Sequence, residues 1–160
     1  MDVLYHGVVG FAIAKSFGGS YEAAGVVSAI LPDLIGTIPF FYFKLKHASR
    51  ASSKAFTRDI WKMLISNEFT NGIDRTSYRM THSFFTAILI SLIAYVLLRP
   101  LWIIVSISYL SHILIDIPTH DGEFATRFLY PISDFHFQAK NWAKHRNIFI
   151  LSWGVLILVL

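Results

Sequence analysis

An all-α integral membrane bundle is the fold class this sequence predicts, and three observations predict it. Of 160 residues, 54% are hydrophobic and only 15% charged, with a mean hydropathy of +0.53. A soluble domain of this size needs more polar surface than that. The apolar residues are gathered into four or five runs separated by polar connections. Within the first two runs, small residues recur every four positions, the pattern of closely packed membrane helices. The length suits a single membrane-embedded helical domain over residues 1–160. There is no cysteine, so disulfides and thiolate metal sites are excluded, and any metal must be held by His, Asp, Glu or water.

The first apolar run, roughly Val3 to Phe17, is short of the ~20 residues a full span needs. No basic stretch precedes it and no small-residue cleavage site follows, so it is expected to be retained rather than removed as a signal. His6, Gly10 and Ala14 share one face, and Gly18-Gly19-Ser20 forms a turn. The second run, about Tyr21 to Phe43, puts Gly25, Ala29 and Asp33 on one face, with Gly36 three further on. Pro32 and Pro39 each remove a backbone donor, and a kink or break is expected near Pro32. Such a break is tolerated at membrane depth where it faces protein or a cavity.

From Lys44 to Arg79 the chain is polar and basic. Phe56, Ile60, Met63 and Leu64 follow helical spacing there, while Lys54, Arg58 and Lys62 fall on another face. This predicts an amphipathic helix over about 53–66, suited to an anionic leaflet or to packing on its own protein. Asn71-Gly72 is a turn. The third run, about Thr81 to Leu98, opens on Thr81-His82-Ser83, and Arg99-Pro100 connects it to the fourth, Leu101 to Ile117. The stretch from Pro118 to Arg146 is polar, with Phe135, Phe137 and Trp142 as expected near a membrane interface. Asn147 to Leu160 is a last, short apolar run.

The basic stretch 44–79 is expected on the cytoplasmic side. Counting outward from it puts the N-terminus inside, and brings His6, His82, His112 and Asp116 to the inner ends of their segments, with Asp33 near mid-segment. His112 and Asp116, four apart on a helix, project side by side. Ionisable residues in apolar segments are functional candidates. Each also has a bland reading: His6 or His82 as an interfacial hydrogen-bonded residue, Asp33 as a helix cap after Pro32, and His112 with Asp116 as a simple pair. Their common depth favours one site. His6, Asp33, His82, His112 and Asp116 then form a mixed N/O ligand set for a divalent metal, Zn first, with Mn or Fe also suited, as one ion or a close pair. Thr81, Ser83 and Ser111 are placed to orient the imidazoles, and Arg79 to neutralise an anionic substrate group. Asp33 or Asp116 can serve as a base if not fully committed to the metal. His120 is left unassigned because it follows Pro118, and His47, His136 and His145 are read as solvated.

His6 with Gly10, Leu31-Pro32-Asp33, Thr81-His82-Ser83, and His112-x-x-x-Asp116 followed by Thr119 and Gly122 occur in this order. The pattern resembles the membrane-bound metal-dependent hydrolases, also described as LexA-binding, inner-membrane-associated hydrolases, a family distantly similar to zinc-dependent phospholipase C. The resemblance runs from His6 to about Pro131. It implies an inner-membrane helical fold, metal-site roles for His6, Asp33, His82, His112 and Asp116, and hydrolysis of a phosphoester. Two positions depart from the family pattern. Ile35 stands where a second Asp is frequent, which bears on a second metal. Ser77-Tyr78 stand where His-Arg is frequent, which removes a substrate-binding cation.

The leading expectation is therefore metal-dependent hydrolysis of a phospholipid or another phosphoester at headgroup depth. The rivals are a metal-ion or proton transporter using the same residues, and a non-enzymatic membrane adaptor working through the basic loop. The expected partners are membrane lipid and a divalent metal. No nucleic-acid partner is expected, since the basic loop is short and tethered between apolar segments, and no motif identifies a protein partner.

Overall fold

The computed structural model describes residues 3–48, 72–142 and 144–159. The amphipathic helix expected over 53–66 lies outside the described residues. Among those described, every regular element is helical: α1 (Val3–Ser16), α2 (Glu22–Ala48), α3 (Gly72–Thr81), α4 (Phe84–Leu97), α5 (Trp102–Asp116), a 3-10 turn (Gly122–Phe124) and α6 (Arg146–Val159).

Beside an apolar core, the interior holds many polar side chains. The largest fully buried side chains include His6, His82, His112, Asp116, Thr126, Ser83 and Ser108. The exposed faces carry Ile88, Leu89, Leu92 and Val96 on α4, Val27, Leu34 and Ile38 on α2, and Leu151, Val155 and Leu158 on α6. Water penalises apolar exposure on this scale, whereas lipid does not. A mainly apolar stretch of α2, Glu22–Pro39, is long enough to cross a bilayer, and α3 and α4 qualify jointly as a pair bent by 59°. α1, α5 and the stretch Arg146–Leu158 are apolar but shorter. The helical class predicted from sequence is therefore found, with one or two helices of spanning length among the described residues.

α2 is the central element and packs against α1, α3 and α5. Its contact with α1 is antiparallel and close because both helices present small residues. A Cβ added at Gly10 would strike the Gly25 carbonyl and lie 2.6 Å from the Ala29 methyl. A Cβ at Gly25 would strike the Gly10 carbonyl and lie 2.7 Å from the Ala14 methyl. The two stripes read from the sequence thus face one another. α2 also runs without a break through Pro32 and Pro39, which corrects the expected break. Pro32 itself is fully buried against the neighbouring helices, and surrounding protein with small local adjustments can re-satisfy the backbone groups a proline frees.

The break falls instead at the third apolar run. α3 ends at Thr81, and α4 starts after Ser83, whose hydroxyl accepts the Thr86 N–H at 3.3 Å as an N-cap. The Tyr109 hydroxyl donates to the Thr81 carbonyl at 2.6 Å, pinning this corner to α5. Beneath it, Tyr109, Ile113 and Ala87 form the apolar core with Leu31, Phe84 and Phe128 around them. The chain after α5 folds back over the α3–α4 corner: Phe84 N–H donates to the Phe128 carbonyl at 2.9 Å, and Tyr78 O–H to the Phe124 carbonyl at 3.1 Å.

Candidate metal centre

Asp33 from α2, His82 from the α3–α4 corner, and His112 and Asp116 from α5 converge, each offering a ligand atom within 4.8 Å of the others. Small residues make the convergence sterically feasible. Gly36, one turn along α2 from Asp33, lets the Thr81 hydroxyl approach to 2.9 Å of where its Cβ would stand, which brings the corner bearing His82 against α2.

The imidazoles are oriented by bonds on their far nitrogens. His112 Nδ1 lies 2.6 Å from the Ala29 carbonyl oxygen, and His82 Nδ1 lies 2.9 Å from the Tyr78 carbonyl oxygen and 3.1 Å from the Thr81 hydroxyl. A carbonyl only accepts, so both Nδ1 atoms carry the proton and donate it. In the neutral imidazoles both Nε2 atoms then present lone pairs, and these lie 3.1 Å apart. His82 Nε2 is 3.3 Å from Asp33 Oδ1, and His112 Nε2 is 3.2 Å from Asp116 Oδ2. Two nitrogen lone pairs and two carboxylates directed at one point repel one another unless a cation stands between them. This donor set fits a divalent metal of the Zn, Mn or Fe type.

Asp116 divides its two oxygens. Oδ2 faces His112 and His82, while Oδ1 is contacted by His6 Nε2 at 3.0 Å and His120 Nδ1 at 3.3 Å. His6 also stacks on His112, with ring centroids 3.7 Å apart. The structure therefore sets His6 behind Asp116, outside the group of four. Its Nε2 contacts Asp116, and its buried Nδ1 has no hydrogen-bond partner. His120 joins the site although the sequence left it unassigned. Pro118 does not end the helical spacing, because the His120 N–H still reaches the Asp116 carbonyl at 3.2 Å. The repeat 112, 116, 120 was the available signal. Asp33 is the open member, with its side chain 20% exposed beside three buried partners.

The remaining expected residues have these surroundings. Thr81 holds His82 as anticipated. Ser83 caps α4, and the Ser111 hydroxyl donates to the Ser108 carbonyl at 2.8 Å. Arg79 Nη1 pairs with Asp134 Oδ1 at 3.4 Å, in a basic group with Arg75 and Arg127. That group flanks Tyr78, whose ring stacks on His82 at 3.9 Å.

Fold and site together define a helical membrane protein that buries a His/Asp cluster able to bind a metal ion. The chain belongs to the family described as YdjM inner membrane protein, whose model matches residues 1–160; the inner membrane is accordingly its location. No curated protein and no solved structure matches it.

Proposed function

We propose that this protein is a metal-dependent hydrolase that cleaves a phosphoester of a membrane lipid at headgroup depth. The observation that carries the reading is the meeting of the His82 and His112 lone pairs with Asp33 and Asp116, both histidines being committed at Nδ1 to backbone carbonyls. The motif resemblance to membrane-bound metal-dependent hydrolases, and through them to zinc-dependent phospholipase C, points the same way. The proposed topology has four to five membrane-embedded segments, with the N-terminus and the centre on the cytoplasmic side, where the basic stretch 44–79 would lie.

Asp33, His82, His112 and Asp116 would hold the ion, with Zn preferred. When bound, it acidifies a water molecule and polarises a phosphoryl oxygen. The chain's own groups account for the rest. His6 and His120 hold Oδ1 of Asp116, so that Oδ2 stays turned to the centre. Asp33, on the open side, would hold the ion through Oδ1, the oxygen facing His82 and His112, which leaves Oδ2 to accept a proton from the attacking water. Hydrolysis adds the water's OH to phosphorus and returns a proton to the leaving oxygen. Asp33, with its side chain 20% exposed, marks the side from which a substrate would reach the centre.

The test is metal content by mass spectrometry on detergent-purified protein, with wild type beside His112→Ala and Asp116→Ala, followed by release of headgroup from phospholipid vesicles. Stoichiometric Zn, Mn or Fe that is lost in both variants, together with turnover lost in parallel, is the expected result. Absence of metal after reconstitution overturns the reading. Metal with ion flux but no turnover replaces it with transport.

A further inference from the structure

Beside the centre, Arg75 and Arg79 occupy one face of α3, one turn apart, and Arg127 reaches the same place from the segment after the 3-10 turn. Among the described contacts, two carboxylates pair with these three guanidinium groups. Arg75 Nη2 meets Glu123 Oε1 at 2.7 Å, while Arg79 Nη1 and Arg127 Nε share Asp134 Oδ1, each at a long 3.4 Å. The buried Nε atoms of Arg75 and Arg79 have no hydrogen-bond partner. Burial, with Arg79 and Arg75 close by, pulls the Arg127 guanidinium below its ordinary pKa. Arg127 Nη1 has an acceptor in the Ala125 carbonyl at 3.1 Å, but Asp134 meets two guanidinium groups through one oxygen at long range, an arrangement that a multidentate anion would satisfy better.

Asp134 is a loose occupant of that position. Its side chain is 71% exposed, and the residues around it, Ile132, Phe135 and Phe137, are exposed and apolar. Aromatic and aliphatic residues beside partly exposed cations are the composition of a headgroup-level lipid site. The cluster is also tied to the centre, because Tyr78, between Arg75 and Arg79 in the chain, stacks on His82.

We propose that Arg75, Arg79 and Arg127 form a cradle for the phosphate of an anionic lipid headgroup, and that Asp134 occupies the cradle until a lipid displaces it. The inference deepens the hydrolase reading by naming its substrate class. Its test needs neither metal nor turnover, so the two can fail separately.

Metal-stripped protein is placed in phosphatidylcholine nanodiscs with and without phosphatidylglycerol, and bound lipid is read by native mass spectrometry. Retention of phosphatidylglycerol over phosphatidylcholine is expected. Arg79→Gln with Arg127→Gln should weaken that retention roughly tenfold or more, the scale of one or two charge-assisted bonds. Asp134→Asn removes an exposed carboxylate and should strengthen retention at an unchanged melting temperature. If the pairs with Asp134 merely latch the loop, Asp134→Asn lowers the melting temperature with no gain in lipid, and the proposal fails. It fails equally if wild type shows no preference between the lipids. Competition by inorganic phosphate would extend the cradle to soluble phosphate esters, and lack of competition would restrict it to lipid; either result, with the arginine dependence, supports the cradle.

Discussion

Replacing Gly10 by alanine tests the packing that brings the centre together. The added Cβ would strike the Gly25 carbonyl on α2 and lie 2.6 Å from the Ala29 methyl. Carbon atoms rest about 3.5–4.0 Å apart, so α1 and α2 must separate by roughly 1 Å. Backbone cannot rotate aside as a side chain does, and overpacking of this kind costs about 1–3 kcal/mol. For a chain of this size that is a fall in melting temperature of a few degrees to about ten. The site should feel it, because His6 lies one turn before Gly10 on α1, and the Ala29 carbonyl that orients His112 lies opposite. The assay is thermal melting in detergent across a graded series. Gly7→Ala meets only side-chain methyls at 3.5 and 3.7 Å and should be tolerated, and Gly154→Ala meets nothing within 4 Å and should be neutral or slightly stabilising. If Gly10→Ala melts with Gly154→Ala, or keeps wild-type metal affinity while melting lower, the argument that this contact positions the centre is wrong.

Other outcomes follow from the same geometry. His120→Ala should reduce Zn affinity by about 10–100-fold without abolishing binding, whereas His112→Ala should abolish it; titration against a competing chelator separates the two. Tyr109→Phe leaves the buried Thr81 carbonyl without its 2.6 Å donor and should cost about 1–3 kcal/mol, read by thermal melting. Ser83→Ala removes the cap of α4 and should cost about 0.5–2 kcal/mol, read in the same way. The Asn141 hydrogen bond, helped by Lys144, holds the Asp121 carboxyl below its ordinary value of 3.8. A depressed carboxyl stabilises the fold fully above that value, and the contribution is lost as pH falls through the lower folded value. Limited proteolysis of the segment around Asp121 should accordingly quicken below pH 3.8, and Asp121→Asn should remove that dependence.

What the sequence determined by itself was local: the helical class, the faces of the helices, and the chemistry carried on each face. Four-residue spacing put Gly10 with His6, Gly25 and Ala29 with Asp33, and His112 with Asp116, because a helix fixes which residues share a side irrespective of its neighbours. The Thr81-His82-Ser83 stretch was legible as a place where chemistry collects, but not as the corner where α3 stops and α4 is capped. The tertiary structure decided what each face meets. His6 and Asp116 are 110 positions apart in the chain, and nothing local says that His6 will contact the oxygen Asp116 turns away from the centre. His120 looked cut off by Pro118, yet its own N–H keeps the Asp116 carbonyl, since a proline removes one donor and leaves the next ones free. Pro32 looked like a break, but α2 continues through it, with the Pro32 ring packed into the interior. Arg79 was legible as a cation for an anionic group, but not that Asp134, 55 residues away, would stand beside it at 3.4 Å. Spacing encodes which atoms lie together on one helix; only the packing of helices, set by where glycine allows backbones to touch, decides which of those faces become one site.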